Sequence, residues 1–183
     1  MWGDDAPAGP GDTSADASDS LQRATARGLR ALAGREHTRS ELTRKLTRHG
    51  VSADQAAIVV EQLAERSLQS DARFVEAFVR ARIERGYGPV WIRQALLERG
   101  IAAVDAQAAL DHPRAFWVGQ ARRALHKRFG SEPALDGAAA DPSAFDRSAF
   151  DRTGWARMAR FIAQRGFPSD VVASALKPAV DLD

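Results

Sequence analysis

The sequence predicts an all-α protein of three tandem three-helix units in an elongated array. The leading observation is a pattern that occurs three times: LTRKLTRHGV at 42–51, IRQALLERGI at 92–101 and MARFIAQRGF at 158–167. Counted from Gly50, Gly100 and Gly166, apolar residues stand at minus eight, minus four and plus one, and again at plus ten, where Val60, Leu110 and Leu176 lie. A spacing of four places the first two on one helical face, and self-similarity of this kind marks modular architecture. Capping boxes recur beside the first copy, and no stretch alternates apolar and polar residues as a half-buried strand would.

Residues 1–20 are rich in Gly, Ala, Asp, Ser and Pro, with Trp2 as the single bulky side chain, and they are expected to be a disordered acidic tail. Helical patterning begins at Leu21 and runs to Ala33, with Gly34 as its stop. In the stretch 38–41 the hydroxyl of Thr38 can accept from the backbone three residues on while Glu41 reaches back, which starts a helix ending near His49. Gly50 closes that helix in the left-handed conformation, and the second box at Ser52 to Gln55 opens a helix over 53–66. These three helices form the first repeat, 21–69.

The second repeat, 70–112, opens with a helix from Asp71 whose apolar face holds Phe74, Phe78 and Ala81, with Glu76, Arg80 and Glu84 paired at i,i+4 on the solvated side. Gly86, Tyr87, Gly88 and Pro89 break the chain and restart it, since proline fits a first helical turn. That helix runs to Gly100, and a short one over 103–110 stops before His112 and Pro113. The third repeat, 113–183, begins with a helix over 114–129. Residues 130–152, with Pro133, Gly137, Pro142 and a tandem SAFDR, read as a surface insertion. The pattern resumes at Trp155 and ends near Lys177. Trp91, Trp117 and Trp155, with Phe74, Phe78, Phe129 and Phe161, are assigned to the small cores.

Composition narrows the class. The 183 residues contain no cysteine, which excludes disulfides, thiolate zinc sites and a cysteine nucleophile. No segment is apolar enough to span a membrane, and the N-terminus lacks the basic start of a signal peptide, so the expected compartment is the cytoplasm. The net charge of +2 hides a basic body: residues 21–129 hold 20 Lys/Arg against 11 Asp/Glu. Such a body suits a polyanionic partner, or equally a well-solvated helical surface.

The stretches REHTRSELTRKL at 35–46 and SDARFVEAFVRARIERGYGP at 70–89, continued through Ile92, Leu96, Arg99, Gly100 and Ile101, resemble the bacterial regulatory proteins of the RecX family. The resemblance covers about 21–129 and, more loosely, 155–176. It implies tandem three-helix units that bind the RecA recombinase, lodge in the groove of its filaments on single-stranded DNA, and inhibit ATP hydrolysis, strand exchange and filament growth. The acidic tail and the insertion at 130–152 depart from the family pattern.

No catalytic constellation is present, and the protein is expected to be no enzyme and to need no cofactor. His37, His49, His112 and His126 are scattered without metal-ligand spacing, and no phosphate-cradling loop occurs. The candidate partner or nucleic-acid surface is cationic. Arg80, Arg82 and Arg85 lie on one helix, Tyr87 on the following turn, and Arg93 and Arg99 on the next helix. Arg80 has Glu76 and Glu84 within reach, and Tyr87 serves either the interface or the packing of the turn. A second cluster, Arg122, Arg123, Lys127 and Arg128, has no acid nearby before Glu132. Arg39, Arg44, Lys45 and Arg48 form a third, partly a helix face stabilised by Glu41. The expected partner is a RecA filament, with possible direct contact to single- or double-stranded DNA, no membrane and a monomeric state. The alternative is a tri-helical, helix-turn-helix-like DNA-binding protein, although acids interrupt its candidate reading helices.

Overall fold

A computed structural model describes residues 12–130 and 150–177, and every described element is helical. In chain order these are α1 (Asp12–Gly34), α2 (Arg39–Arg48), α3 (Ala53–Glu65), α4 (Asp71–Glu84), α5 (Pro89–Leu97), α6 (Ala103–Ala108), α7 (Arg114–Phe129), α8 (Phe150–Gln164) and α9 (Ser169–Ala175). They group into two compact units divided between Phe74 and Val75. No helix among the described residues is long and apolar enough to cross a membrane.

The repeated glycine is a helix stop of one geometry. Gly50, Gly100 and Gly166 have φ of 83°, 82° and 83°. Each donates to the carbonyl three residues back, and the next residue donates five residues back: Val51 to Leu46 at 3.2 Å, Ile101 to Leu96 at 3.1 Å and Phe167 to Ile162 at 3.2 Å. This double closure satisfies carbonyls the helix would leave open, and it folds the apolar residue after the glycine back over the helix. The acceptors Leu46, Leu96 and Ile162 are themselves core side chains, at most 1% exposed, as are Val60, Leu110 and Leu176 within a few percent. Burying each aliphatic side chain contributes about 1.5–3 kcal/mol, so the same residues that end the helix also build its core.

In the first unit α1, α2 and α3 enclose Ala24, Ala31, Leu42, Leu46, Ala56, Val59, Val60 and Leu63. Thr38 accepts from the Glu41 amide at 3.0 Å and Ser52 from the Gln55 amide at 3.3 Å, the hydroxyl half of each predicted box. The Glu41 carboxylate also takes Arg35 at 2.9 Å and lies 3.4 Å from Nδ1 of buried His37. Gln69 seals the same corner, donating to the His37 carbonyl at 3.1 Å and to Asp71 at 2.7 Å. In the cationic cluster of this unit, Arg39 pairs with Glu61, while Arg44 and Arg48 donate to carbonyls of their own helix.

Two expectations need correction. Helix α1 begins at Asp12, so the structureless reading of 1–20 fails for 12–20, while 1–11 lie outside the described residues. An acidic residue, Asp12, opens the helix, and two turns further on Asp19 pairs with Arg23 at 3.0 Å and Ser20 reaches Gln55 at 3.3 Å. Trp155, assigned to a core, is 47% exposed. Helix α8 starts at Phe150 rather than near Trp155, and α9, about 10 Å long at seven residues, cannot cover its full length. The predicted insertion at 130–152 falls mainly outside the described residues; its last three residues are helical.

The buried His37 gives the first unit a pH dependence. Burial, then the charges of Arg35 and Lys45, lower its pKa, and Glu41 only partly opposes them. With the folded pKa below the unfolded one, the unfolded chain binds more protons, so stability is full above about pH 6.5 and erodes as pH falls below it. Urea unfolding between pH 7.5 and 5.5 should show this loss, and His37→Gln should flatten the slope.

Candidate functional site

The second unit is assembled by two turns that meet backbone to backbone. The α4–α5 turn begins with a further double closure: Gly86, at φ 78°, donates to Ile83 at 2.8 Å and Tyr87 donates to Arg82 at 3.0 Å. Gly88 is then the N-cap of α5 and offers no side chain to the open amides of that helix. The end of α8 supplies the acceptors instead. The Gly88 amide donates to the Arg165 carbonyl at 2.7 Å, and the Val90 amide to the Gly166 carbonyl at 3.1 Å. Open amides of one helix start thus satisfy open carbonyls of another helix end, with the two helix dipoles aligned favourably.

This approach leaves no room for a side chain. A Cβ on Gly88 would stand 2.4 Å from the Gly166 oxygen, and one on Gly166 would stand 2.5 Å from the Trp91 nitrogen. Gly86 likewise faces Ala124 of α7, whose Cβ would be 3.1 Å away from its own. Glycine at 88 is therefore fixed by contact between two repeats, whereas glycine at 50 and 100 is fixed by its own helix end.

Arg165 fastens the junction. Its guanidinium donates to the Arg85 carbonyl at 2.7 Å and lies over the Tyr87 ring at 4.9 Å and the Phe161 ring at 5.0 Å. Tyr87 stacks on Trp91, with centroids 4.1 Å apart, so its ring contacts both an indole and a guanidinium. The Tyr87 ring thus packs against the turn.

Beside this junction lies an open groove of about 640 Å³, lined by Ile83, Glu84, Arg85, Gly86, Gln120, Arg123, Ala124, Lys127, Arg128, Phe161 and Arg165. Cations far apart in sequence share it: Arg85, just past the end of α4, and Arg123, Lys127 and Arg128 from α7. Arg123 and Lys127 stand one helical turn apart on one side of α7 and form a rim along it, with Arg128 about 100° further round near its end. Glu84 is the one carboxylate in the lining.

The other sequence candidates are placed differently. Arg80 is exposed and pairs with Glu76 at 3.3 Å. Arg82 lies over the Phe78 ring at 4.5 Å, and Arg99 lies over the same ring at 4.8 Å while donating to the Ala95 carbonyl. Burial, with the charges of Arg85 and Arg99, lowers the Arg82 pKa, and its buried Nε has no hydrogen-bond partner among the described residues. Arg93 is exposed on α5, and the groove lining does not include it. Arg122 turns away to the end of α9, donating to the carbonyls of Ser174, Ala175 and Lys177 at 3.2–3.4 Å. Its charge closes a helix terminus and stays out of the groove.

Arg165 is absent from the sequence candidates, yet a signal exists. The residue before the closing glycine is basic in each copy, at His49, Arg99 and Arg165, and Arg85 stands likewise before Gly86. A cation there complements the helix end. No group of three or more metal-ligating side chains is placed to hold a metal among the described residues.

Comparison with known proteins gives two family matches, the first three-helix domain of RecX over residues 24–63 and the second three-helix domain of RecX over 70–110. A regulatory protein RecX of Halorhodospira halophila is 40% identical over 155 residues, which span 85% of this chain and 87% of that protein. Those of Acidithiobacillus ferrooxidans and Pseudomonas putida are 39% and 37% identical over 152 residues, spanning 83% of this chain and 87% of each relative. The crystal structure of RecX from Lactobacillus salivarius superposes with a TM-score of 0.67 at 19% identity, covering 86% of this chain and 95% of that one. A second crystal structure of a regulatory protein RecX gives 0.69 at 21% identity, covering 94% and 80%. The likeness to the two crystal structures is one of fold.

The junction makes a paired prediction. Gly88→Ala forces backbone apart and breaks the Gly88 and Val90 hydrogen bonds, and should cost about 3 kcal/mol in urea unfolding of the second unit. Gly119→Ala, in the interior of α7 with nothing within 4 Å of the added Cβ, should instead stabilise by about 0.5–1 kcal/mol.

Proposed function

The chain belongs to the RecX family of regulatory proteins, and from that membership we propose that it binds RecA nucleoprotein filaments and restrains ATP hydrolysis, strand exchange and filament growth. It acts in this reading as a monomeric, non-enzymatic cytoplasmic modulator whose repeats, 21–69, 70–112 and 113–183, divide the work. The second and third repeats supply the contact face, and the groove lined by Arg85, Arg123, Lys127, Arg128 and Arg165 is its centre.

One observation carries the reading: cations from two repeats line one open groove with a single carboxylate among them. Exposed like charges gathered in this way repel each other in the free protein and are relieved by an anionic partner surface, whether acidic protein or phosphate backbone. Arg80, with its own glutamate, and Arg122, committed to α9, contribute least to that contact. Arg82, Arg93 and Arg99 extend the cationic face along α4 and α5. A filament presents the same surface repeatedly, so individually weak contacts gain from multivalency.

The protein should slow DNA-dependent ATP hydrolysis by RecA at substoichiometric amounts. The double variant Arg123→Glu with Lys127→Glu should need about tenfold more protein for the same inhibition, equivalent to about 1.4 kcal/mol of lost contact. Unchanged hydrolysis across a titration to equimolar protein contradicts the reading. Salt-dependent duplex binding with sequence preference and no effect on RecA would favour the helix-turn-helix-like alternative.

A further inference from the structure

We propose that the groove of the second unit is a docking site for an acidic peptide segment with an apolar anchor, contributed by a protein partner. The inference deepens the reading above, since it names the chemistry that the proposed contact face takes up.

The groove has two chemically distinct layers. Its floor is apolar, made by Ile83 of α4, Ala124 of α7 and Phe161 of α8. Its rim is cationic, made by Arg85, Arg123, Lys127 and Arg128, while Arg165 is already engaged with the Arg85 carbonyl and two aromatic rings. Arg123 and Lys127 lie about 6 Å apart along α7, close to one helical turn. That separation suits carboxylates on neighbouring exposed positions of a peptide, with an apolar side chain between them directed to the floor. Arginine and lysine rims above an apolar floor give such a segment both charge-assisted hydrogen bonds and burial.

A single strand of nucleic acid fits the same charge but not the same floor. Grooves that hold single strands without sequence preference pair their cations with aromatic faces on which bases stack. The rings nearest this groove are already engaged. Tyr87 has Trp91 at 4.1 Å and Arg165 at 4.9 Å, and Phe161 has Arg165 at 5.0 Å and the edge of Phe129 at 5.4 Å. Charge complementarity combined with an apolar floor whose one ring is already engaged therefore favours the peptide.

The test uses the full chain and no RecA, so its failure and the failure of the filament reading are separate. A fluorescein-labelled peptide alternating pairs of glutamate with leucine or phenylalanine is titrated by anisotropy, beside its glutamine counterpart and a labelled oligothymidylate. The acidic peptide should bind, and both the glutamine peptide and the Lys127→Glu protein should bind at least about tenfold more weakly. Arg30→Glu, an equal charge change at a residue outside the groove lining, should leave the affinity within about twofold. Lys127→Gln, checked by circular dichroism, serves as a second variant should the reversal perturb folding. Equal binding of the glutamine peptide, indifference to both Lys127 changes, or displacement of the peptide by oligothymidylate at equal concentration would overturn the proposal.

Discussion

Two hydrogen bonds between a helix start and a helix end hold the second unit in the form on which everything else depends. The Gly88 and Val90 amides would be orphans at the start of α5, and the Arg165 and Gly166 carbonyls would be orphans at the end of α8. Each pair removes the other's need for water, and glycine at 88 and 166 lets the two backbones come close enough to do so. Arg165, Tyr87 and Trp91 then stack over the joint. Without that approach Arg85 and the cations of α7 would belong to separate surfaces, and the groove between them would not exist.

The joint also explains why cations of similar appearance have unequal roles. Arg165 spends its hydrogen-bonding capacity on the Arg85 carbonyl and its flat face on two rings, and Arg122 spends its own on the last carbonyls of α9. Arg114 is bound similarly to Asp170, whose pKa the hydrogen bond lowers. Arg123 and Lys127 differ in standing exposed along the groove, and Arg128 joins them while lying over the Phe129 ring at 5.4 Å. Burial would have made such a like-charged set costly, and exposure keeps the free protein stable while leaving charge for a partner.

Much of the fold was legible because its signals are local. A glycine followed by an apolar residue, with core positions at fixed offsets, specifies a helix closure through backbone geometry alone, and the closures at Gly50, Gly100 and Gly166 agree in φ and hydrogen bonding. The caps at Thr38 and Ser52 were legible for the same reason. Contacts between repeats were not, because nothing in the sequence near Gly88 says that its neighbour is Gly166. Sequence pattern alone therefore does not single out Arg165, does not separate Arg122 from Arg123 although adjacent helix positions point about 100° apart, and does not show that Trp155 is exposed. The length of α1 is not legible in composition, which registers the polar residues of 12–20 and not the acidic start that favours a helix.

Residue-resolved amide hydrogen exchange at the α4–α5 turn tests the central claim most directly. If the turn is held by α8, the Gly88 and Val90 amides should be protected nearly as strongly as the buried middle of α7, exchanging only when the second unit opens as a whole. Exchange of both amides at the rate of an exposed loop while α7 stays protected would contradict the account.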